Sequence, residues 1–232
     1  MNGAIRRRGA PGRTVNGGIR RWAGFAAMAC AVALSVVAAL VAARWPPLAE
    51  GDRAVARWSY HVGVDRPGLV GALRAWTAAL APRTWVLAGI AMALALLARR
   101  RVRAAAGVAL ATVAGTLVEL TGKAVVERAR PAVEYAIPGA GSWYGESFPS
   151  GHAIAATVGG GLLLWICVPF LGRRARTAAV AAGIAVIALT GWSRVALDAH
   201  WASDVVAGWL AGIVVLGVTV ALSGPVRAYD TG

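Results

Sequence analysis

Six runs of apolar residues follow one another along this chain of 232 residues, and shorter polar segments separate them. A helix needs about twenty apolar residues to cross the core of a bilayer, and the runs meet or approach that length. The pattern therefore predicts an all-α, polytopic membrane protein. Its six transmembrane helices are expected over residues 23–43, 82–98, 104–120, 153–171, 177–192 and 204–223.

The segment between the first two runs is too polar to cross a bilayer, although it is about forty residues long. Apolar residues recur within it at helical spacing, at Leu69, Val70, Leu73, Trp76 and Leu80. Such a stripe is typical of an amphipathic helix. We expect an extracytoplasmic helix here that packs on the bundle, lies on the membrane surface or lines a route for a lipid tail.

The two ends of the chain differ from the predicted membrane domain at 22–224. Residues 1–21 are rich in glycine and arginine without apolar periodicity, which favours a disordered basic tail near anionic headgroups. Residues 225–232 form a second short tail. An arginine-rich start before an apolar run is also found in secretory signal peptides, but the run at 23–43 is longer than their usual apolar region.

The charge of the chain is strongly positive, with 24 Lys and Arg against 10 Asp and Glu, or +14. The chain is also 58% hydrophobic, with a mean hydropathy of +0.63. A soluble nucleic-acid-binding protein has a similar charge but a far more polar composition, so we exclude nucleic acid as a partner. The expected surroundings are a lipid bilayer.

The basic residues alternate from one side of the predicted bundle to the other. The segments before the first run and after the second, fourth and sixth runs hold 14 of the 24 basic residues and one of the 10 acids. Cytoplasmic segments of membrane proteins carry such an excess of Lys and Arg. Both termini are therefore expected in the cytoplasm. Since the bias toward Ala and Arg is typical of GC-rich bacterial genomes, we expect the inner membrane of a bacterium.

Small residues within two of the runs predict close packing between helices. Gly208 and Gly212 are four residues apart in the last run, and three glycines occupy 159–161 in the fourth. Small side chains at this spacing let two helix backbones approach closely in a membrane.

A first polar cluster follows the third run. Lys123 and Arg130 are seven residues apart, which places them on one face if the helix continues until Pro131 interrupts it. Two cations on one face favour an anion-binding site. The alternative is an ordinary basic helix end in contact with water.

A second polar cluster opens the fourth run, at Ser150, Gly151 and His152. Serine is a preferred N-cap residue, and glycine lets a ligand approach the free N–H groups of a helix N-terminus, which favour anions. A histidine beside them has the chemistry to protonate a leaving oxygen. Ordinary capping without a ligand is the alternative.

A third cluster lies between the fifth and sixth runs. If this segment is helical, His200 and Asp204 lie on one face at i and i+4, so the carboxylate accepts the imidazole N–H and makes the other ring nitrogen a better nucleophile. Arg194 adds a planar guanidinium suited to phosphate oxygens. The alternative is a membrane-edge arginine beside a paired His and Asp.

All three clusters fall on the same, extracytoplasmic side of the predicted bundle. Together they offer three cations, a helix N-terminus and two histidines. That set suits phosphoryl transfer, in which cations neutralise the phosphate oxygens, one histidine attacks phosphorus and the other protonates the leaving alcohol.

The spacing of the clusters resembles the signature of the type 2 phosphatidate phosphatase superfamily, which includes lipid phosphate phosphatases and vanadium haloperoxidases. The signature is Lys-x6-Arg-Pro, Pro-Ser-Gly-His and Ser-Arg-x5-His-x3-Asp. This chain matches every position, at 123–131, 149–152 and 193–204.

The resemblance implies a metal-independent phosphatase without a cofactor. His200 would attack and carry the phosphoryl group, with Asp204 orienting it, and His152 would protonate the leaving oxygen and then activate water. The phosphate oxygens would be held by Lys123, Arg130, Ser150, Gly151 and Arg194. The substrate would be a membrane lipid phosphate such as phosphatidic acid, phosphatidylglycerophosphate or a polyprenyl pyrophosphate.

Other functions are compatible with the same residues. A phosphotransferase would pass the phosphoryl group to a lipid or sugar hydroxyl, and a lipid-binding or transport protein would carry an inactive site. The haloperoxidase members are soluble, unlike this chain. Four charged residues near the motifs lie outside the signature and are read as solvated loop charges or as contacts to the lipid headgroup, namely Glu127, Arg128, Glu134 and Glu146.

Overall fold

The computed structural model describes residues 12–223, without the side chains of residues 12–16 and 133. Over this range the chain forms eight α-helices and two short 3-10 turns, and no strand. The helices are α1 (Gly12–Ala42), α2 (Pro46–Asp65), α3 (Pro67–Ala79), α4 (Pro82–Ala98), α5 (Val102–Val126), α6 (Gly151–Cys167), α7 (Arg173–Ala196) and α8 (Ala202–Ser223).

Six helical stretches of the described chain are long and apolar enough to cross a membrane, as the sequence predicted. The second stretch joins α3 to α4, so the predicted amphipathic helix is included in it. The chain is a multi-pass membrane protein. The stretches are Gly17–Ala42, Pro67–Ala98, Val102–Val126, Gly151–Phe170, Arg173–Ala196 and Ala202–Ser223.

The N-terminal boundary of α1 differs from the prediction. α1 begins at Gly12, so residues 12–21, which the sequence pattern assigned to a disordered tail, belong to this helix. The rest of the predicted N-terminal tail and the tail at 225–232 lie outside the described residues.

The segment after α1 is more ordered than its polarity suggested. α2 was missed because its buried face carries two small residues and two polar ones, Ala56, Gly63, Asp52 and Ser59, and therefore lacks an apolar stripe. A start signal was nevertheless present, since α2, α3 and α4 all begin with proline, at Pro46, Pro67 and Pro82. Proline suits the first position of a helix, where its missing N–H leaves no hydrogen bond unmade.

The predicted amphipathic helix α3 is present and packs on the bundle. Val70 and Leu73 are buried in a cluster with Ile137 and Leu197, and α3 packs against α7. The Trp76 indole N–H donates to Thr190 Oγ1 at 3.3 Å. α3 therefore covers the end of the bundle where the polar clusters lie.

α6 lies at the centre of the bundle, in contact with α4, α5, α7 and α8. The predicted close packing of helices at glycines is confirmed for α8 against α6. A Cβ added to Gly208 would meet Ala153 and the Ser150 carbonyl, and one added to Gly212 would meet Thr157. This contact brings the start of α8 beside the start of α6. It thereby joins the second and third polar clusters.

Candidate active site

One cavity of about 530 Å³, including its opening to solvent, lies at the end of the bundle where α5 and α7 end and α6 begins. Six of the eight residues predicted from the sequence line it, contributed by all three clusters. They are Lys123, Arg130, Gly151, His152, Arg194 and His200. Ser150 and Asp204 do not line it.

Lys123 and Arg130 reach this cavity by a route that differs from the prediction. α5 ends at Val126, because Glu127 adopts a left-handed conformation with φ 45°. Arg130 therefore lies in an extended loop and is not two turns further along one helix face. The turn at Glu127 brings the side chain of Arg130 back to the cavity that Lys123 also lines.

His200 is 3% exposed and lies before the start of α8, and its two ring nitrogens have different neighbours. Nδ1 is 2.7 Å from the Ser147 carbonyl oxygen. Because a carbonyl only accepts, Nδ1 carries the proton, and Nε2 keeps its lone pair. Nε2 is 3.2 Å from Nη1 of Arg130, which donates to it. The Nε2 lone pair thus accepts a hydrogen bond from Arg130 and faces the cationic cavity.

Burial lowers the pKa of the His200 imidazole to about 4, although the nearby Asp204 carboxylate opposes this shift. The cationic Arg130 and Arg194 lower it further. At neutral pH the imidazole is therefore uncharged, as a nucleophile must be.

Asp204 does not form the predicted hydrogen bond to His200. α8 begins at Ala202, so His200 and Asp204 are not stacked on one helix, and the distance from Nδ1 to Oδ2 is 3.6 Å. The carbonyl of Ser147 takes the place expected for the carboxylate. Asp204 Oδ2 instead accepts the backbone N–H of Trp201 at 3.0 Å, which fixes the turn that carries His200.

Arg128, read above as a solvated charge or a headgroup contact, is the centre of an ionic network. Its Nη1 donates to Asp204 Oδ1 at 2.6 Å and to Ser203 Oγ at 2.7 Å, and its Nη2 donates to Asp52 Oδ2 at 2.7 Å. Asp52 also accepts from the Ser203 backbone N–H at 2.9 Å. The side chains of Asp52 and Asp204 are 3% and 0% exposed. The network therefore ties α2 and α8 to the loop after α5.

Arg130 is held by backbone carbonyls around the cavity. Nη1 donates to Ala199 at 2.6 Å, Nη2 to Glu146 at 3.0 Å, and Nε to Gly145 at 3.0 Å and to Tyr144 at 3.2 Å. Burial lowers the pKa of its guanidinium, and the charges of Asp204, Glu119 and Glu146 oppose that shift. The fork is positioned next to His200 before any ligand binds.

Arg194 also lines the cavity and is almost fully buried. Its Nη1 donates to Thr77 Oγ1 of α3 at 2.9 Å, and its guanidinium lies 4.2 Å from the centre of the Trp143 ring. Its buried Nε has no hydrogen-bond partner within the described part of the chain. This N–H is available to an oxygen of a ligand.

The start of α6 agrees only partly with the capping prediction. Ser150 occupies the N-cap position, but its side chain makes no capping bond, and its buried hydroxyl has no partner among the described residues. Gly151 and His152 line the cavity as the first two residues of the helix. The first N–H groups of a helix have no partner within it, so they offer donors to an anion here.

A second cavity lies between α4, α5 and α6, with an empty volume of about 360 Å³. It shares Pro82, Glu119 and Gly151 with the first cavity. Its remaining lining is mainly apolar or small, and includes Trp85, Val86, Gly115, Ile154 and Val158. An apolar group attached to a ligand in the first cavity would be close to this lining.

The model of the PAP2 superfamily matches residues 102–227. An undecaprenyl-diphosphatase of Sulfolobus acidocaldarius is 34% identical over 86 residues, which cover 36% of this chain and 38% of the relative. The aligned part thus spans well under half of that curated relative.

A solved structure shares the fold. The crystal structure of a transmembrane PAP2 type phosphatidylglycerolphosphate phosphatase from Bacillus subtilis superposes with a TM-score of 0.71, over 85% of this chain and 96% of the other. Sequence identity between the two is 21%, so this likeness concerns the fold alone.

The tautomer and charge of His200 are testable by NMR. The chain has three histidines, so ¹⁵N-labelled imidazoles can be assigned with His61→Gln and His152→Gln variants. We expect His200 to carry its proton on Nδ1 and to stay neutral until the pH falls to about 4, since burial lowers its pKa. Titration near the ordinary value of about 6.5, or a proton on Nε2, would contradict this geometry.

The network around Arg128 predicts a large stability effect. Arg128→Leu leaves the buried carboxylates of Asp52 and Asp204 without their cation, which should cost about 3–5 kcal/mol. Thermal unfolding in detergent measures the loss. Arg57→Leu removes a positive charge from an exposed position of α2 and is the matched control. Equal melting temperatures for the two variants would show that the network contributes little.

Proposed function

Since the chain belongs to the PAP2 superfamily, we propose that it is a membrane phosphatase that hydrolyses a lipid phosphate through a phosphohistidine on His200. The observation that carries the proposal is the neutral imidazole whose free nitrogen, Nε2, is held at 3.2 Å from the Arg130 guanidinium inside a cationic cavity. This geometry supports an attack by the Nε2 lone pair on a phosphorus bound in the cavity.

In the first step Nε2 of His200 attacks phosphorus, and the bond from phosphorus to the leaving oxygen breaks. His152, when protonated, gives its proton to that oxygen. Lys123, Arg130 and Arg194 stabilise the charge on the phosphoryl oxygens, so the side chains of this protein supply the positive charge. The N–H of Gly151 adds a donor from the start of α6.

In the second step His152, now neutral, takes a proton from water. The water oxygen attacks phosphorus, the bond to Nε2 breaks, and inorganic phosphate leaves. Ser147 holds the proton on Nδ1 through both steps, at 2.7 Å. Asp204 acts as a positioning residue, since it binds Arg128 and the Trp201 N–H and does not bind the imidazole directly.

A lipid substrate is supported by the second, largely apolar cavity, which shares its border with the phosphate cavity. The two similar proteins are named for an undecaprenyl diphosphate and a phosphatidylglycerolphosphate. Both are lipids with a terminal phosphate, so the proposal is limited to that class. The distribution of arginine supports a site on the extracytoplasmic side, with both termini in the cytoplasm.

We expect the purified protein to release phosphate from phosphatidic acid or undecaprenyl pyrophosphate in the presence of a metal chelator. His200→Ala should abolish turnover, because no other group carries the phosphoryl group. Asp204→Asn should leave measurable activity, because Ser147 still orients the imidazole. A colorimetric assay of phosphate release compares the rates of the wild type and the two variants.

Trapping the intermediate distinguishes hydrolysis through His200 from other routes. Brief incubation with ³²P-labelled lipid phosphate, followed by alkaline denaturation, should leave acid-labile label on the wild type and none on His200→Ala. A lipid or sugar alcohol that gains the label during turnover would instead indicate a phosphotransferase. Wild-type rates in His200→Ala would overturn the assignment of the nucleophile.

The side of the membrane can be tested with single cysteines in a chain whose Cys30 and Cys167 are replaced by serine. Tyr144 is 85% exposed at the rim of the cavity, and Arg174 lies at the opposite end of the bundle, in the first turn of α7. An impermeant maleimide added to intact cells should label Tyr144→Cys and leave Arg174→Cys unlabelled. The reverse pattern would place the cavity in the cytoplasm.

A further inference from the structure

Glu119 places a carboxylate inside the cationic cavity, and the proposed mechanism gives it no task. It lies one helical turn before Lys123 on α5, and its Oε1 is 2.5 Å from Lys123 Nζ. It lines both the phosphate cavity and the apolar cavity beside it. An ordinary surface pair of this spacing would lie in water, whereas the side chains of Lys123 and Glu119 are 24% and 19% exposed.

The carboxylate also lies against the start of α6. A Cβ added to Gly151 would overlap both oxygens of Glu119, so the carboxylate occupies the space that the absent side chain leaves free. Gly151 is the first residue of α6, where backbone N–H groups lack partners within the helix. Glu119 therefore lies beside the helix N-terminus to which the proposed mechanism assigns a phosphate oxygen.

Charge makes the two occupants compete. Lys123 Nζ is paired with Glu119 in the structure, and the same ammonium is needed for the phosphate. Two anions a few ångströms apart in a partly buried site repel each other strongly. Glu119 also contributes to the field at Arg130, which shows that its charge is felt across the cavity.

We propose that Glu119 is a built-in competitor of phosphate, whose carboxylate pairs with Lys123 in the empty site and is displaced when a phosphate binds. This inference rests on the proposed function and adds a property of the same site. The charge of Lys123 is neutralised while the site is empty. After turnover, inorganic phosphate is released more easily because Glu119 pairs with Lys123 again.

The test measures binding of inorganic phosphate to the full-length protein in detergent by titration calorimetry. Glu119→Gln keeps the size of the side chain and removes its charge. If empty sites with the Glu119–Lys123 pair outnumber those without it by about ten to one, loss of the pair should tighten phosphate binding about tenfold. Product inhibition by phosphate during hydrolysis of phosphatidic acid should strengthen by the same factor.

Glu50→Gln is the matched control, since it removes an equal charge from an exposed position of α2 that does not line the cavity. It should leave phosphate binding close to that of the wild type. Glu119→Ala is a second variant, with the same expected direction, for the case in which Glu119→Gln does not fold as judged by its melting temperature.

The outcomes separate this inference from the proposed function. Unchanged or weaker phosphate binding in both Glu119 variants, with a wild type that binds and hydrolyses normally, would overturn the competitor role alone. Weaker binding would mean that Glu119 holds Lys123 in place for phosphate. A wild type that neither binds phosphate nor hydrolyses lipid phosphates would overturn the proposed function, and this inference with it.

Discussion

Several cations are buried at one end of an apolar bundle, and the rest of the structure depends on how their charges are satisfied. Removing one charged group from water costs several kcal/mol unless hydrogen bonds and opposite charges replace the lost hydration. Arg130 donates to four backbone carbonyls, and Arg128 donates to two carboxylates. Lys123 forms an ion pair with Glu119. Arg194 donates to the hydroxyl of Thr77 and lies over the ring of Trp143. Each cation thus has its own set of partners.

These partners explain why segments outside the three motifs are needed. Asp52 comes from α2, Thr77 from α3, and the carbonyls of residues 144–146 from the loop between α5 and α6. None of these segments adds to the apolar core that holds α5, α6 and α8 together. They satisfy buried charge, and α3 adds a separate apolar cluster through Val70 and Leu73, so that together they fix the shape of the cavity and cover it.

Sequence alone predicted the spans well, because each depends on a long local run of apolar residues. It also predicted six of the residues that line the cavity, from their chemistry and order. It failed where the partner is distant. Arg128 and Asp52 are 76 positions apart, and His200 and the carbonyl of Ser147 are 53 apart, so no local spacing relates them. The expected His200 to Asp204 bond required a helix, and the helix begins two residues too late, at Ala202.

The empty site already contains an acceptor for two of the three cations proposed to hold phosphate, whereas Nε of Arg194 has no partner within the described residues. Arg130 donates to Nε2 of His200, and Lys123 donates to Glu119. In the mechanism we propose, both cations exchange an acceptor of the protein for an oxygen of the ligand when phosphate binds, and Nε2 is released to attack phosphorus. Because these two cations give up an existing hydrogen bond for each one they gain, the bound phosphate is stabilised less in the ground state than it would be by cations without acceptors. Interactions are thereby kept for the transition state, whose additional charge the same cations can stabilise further.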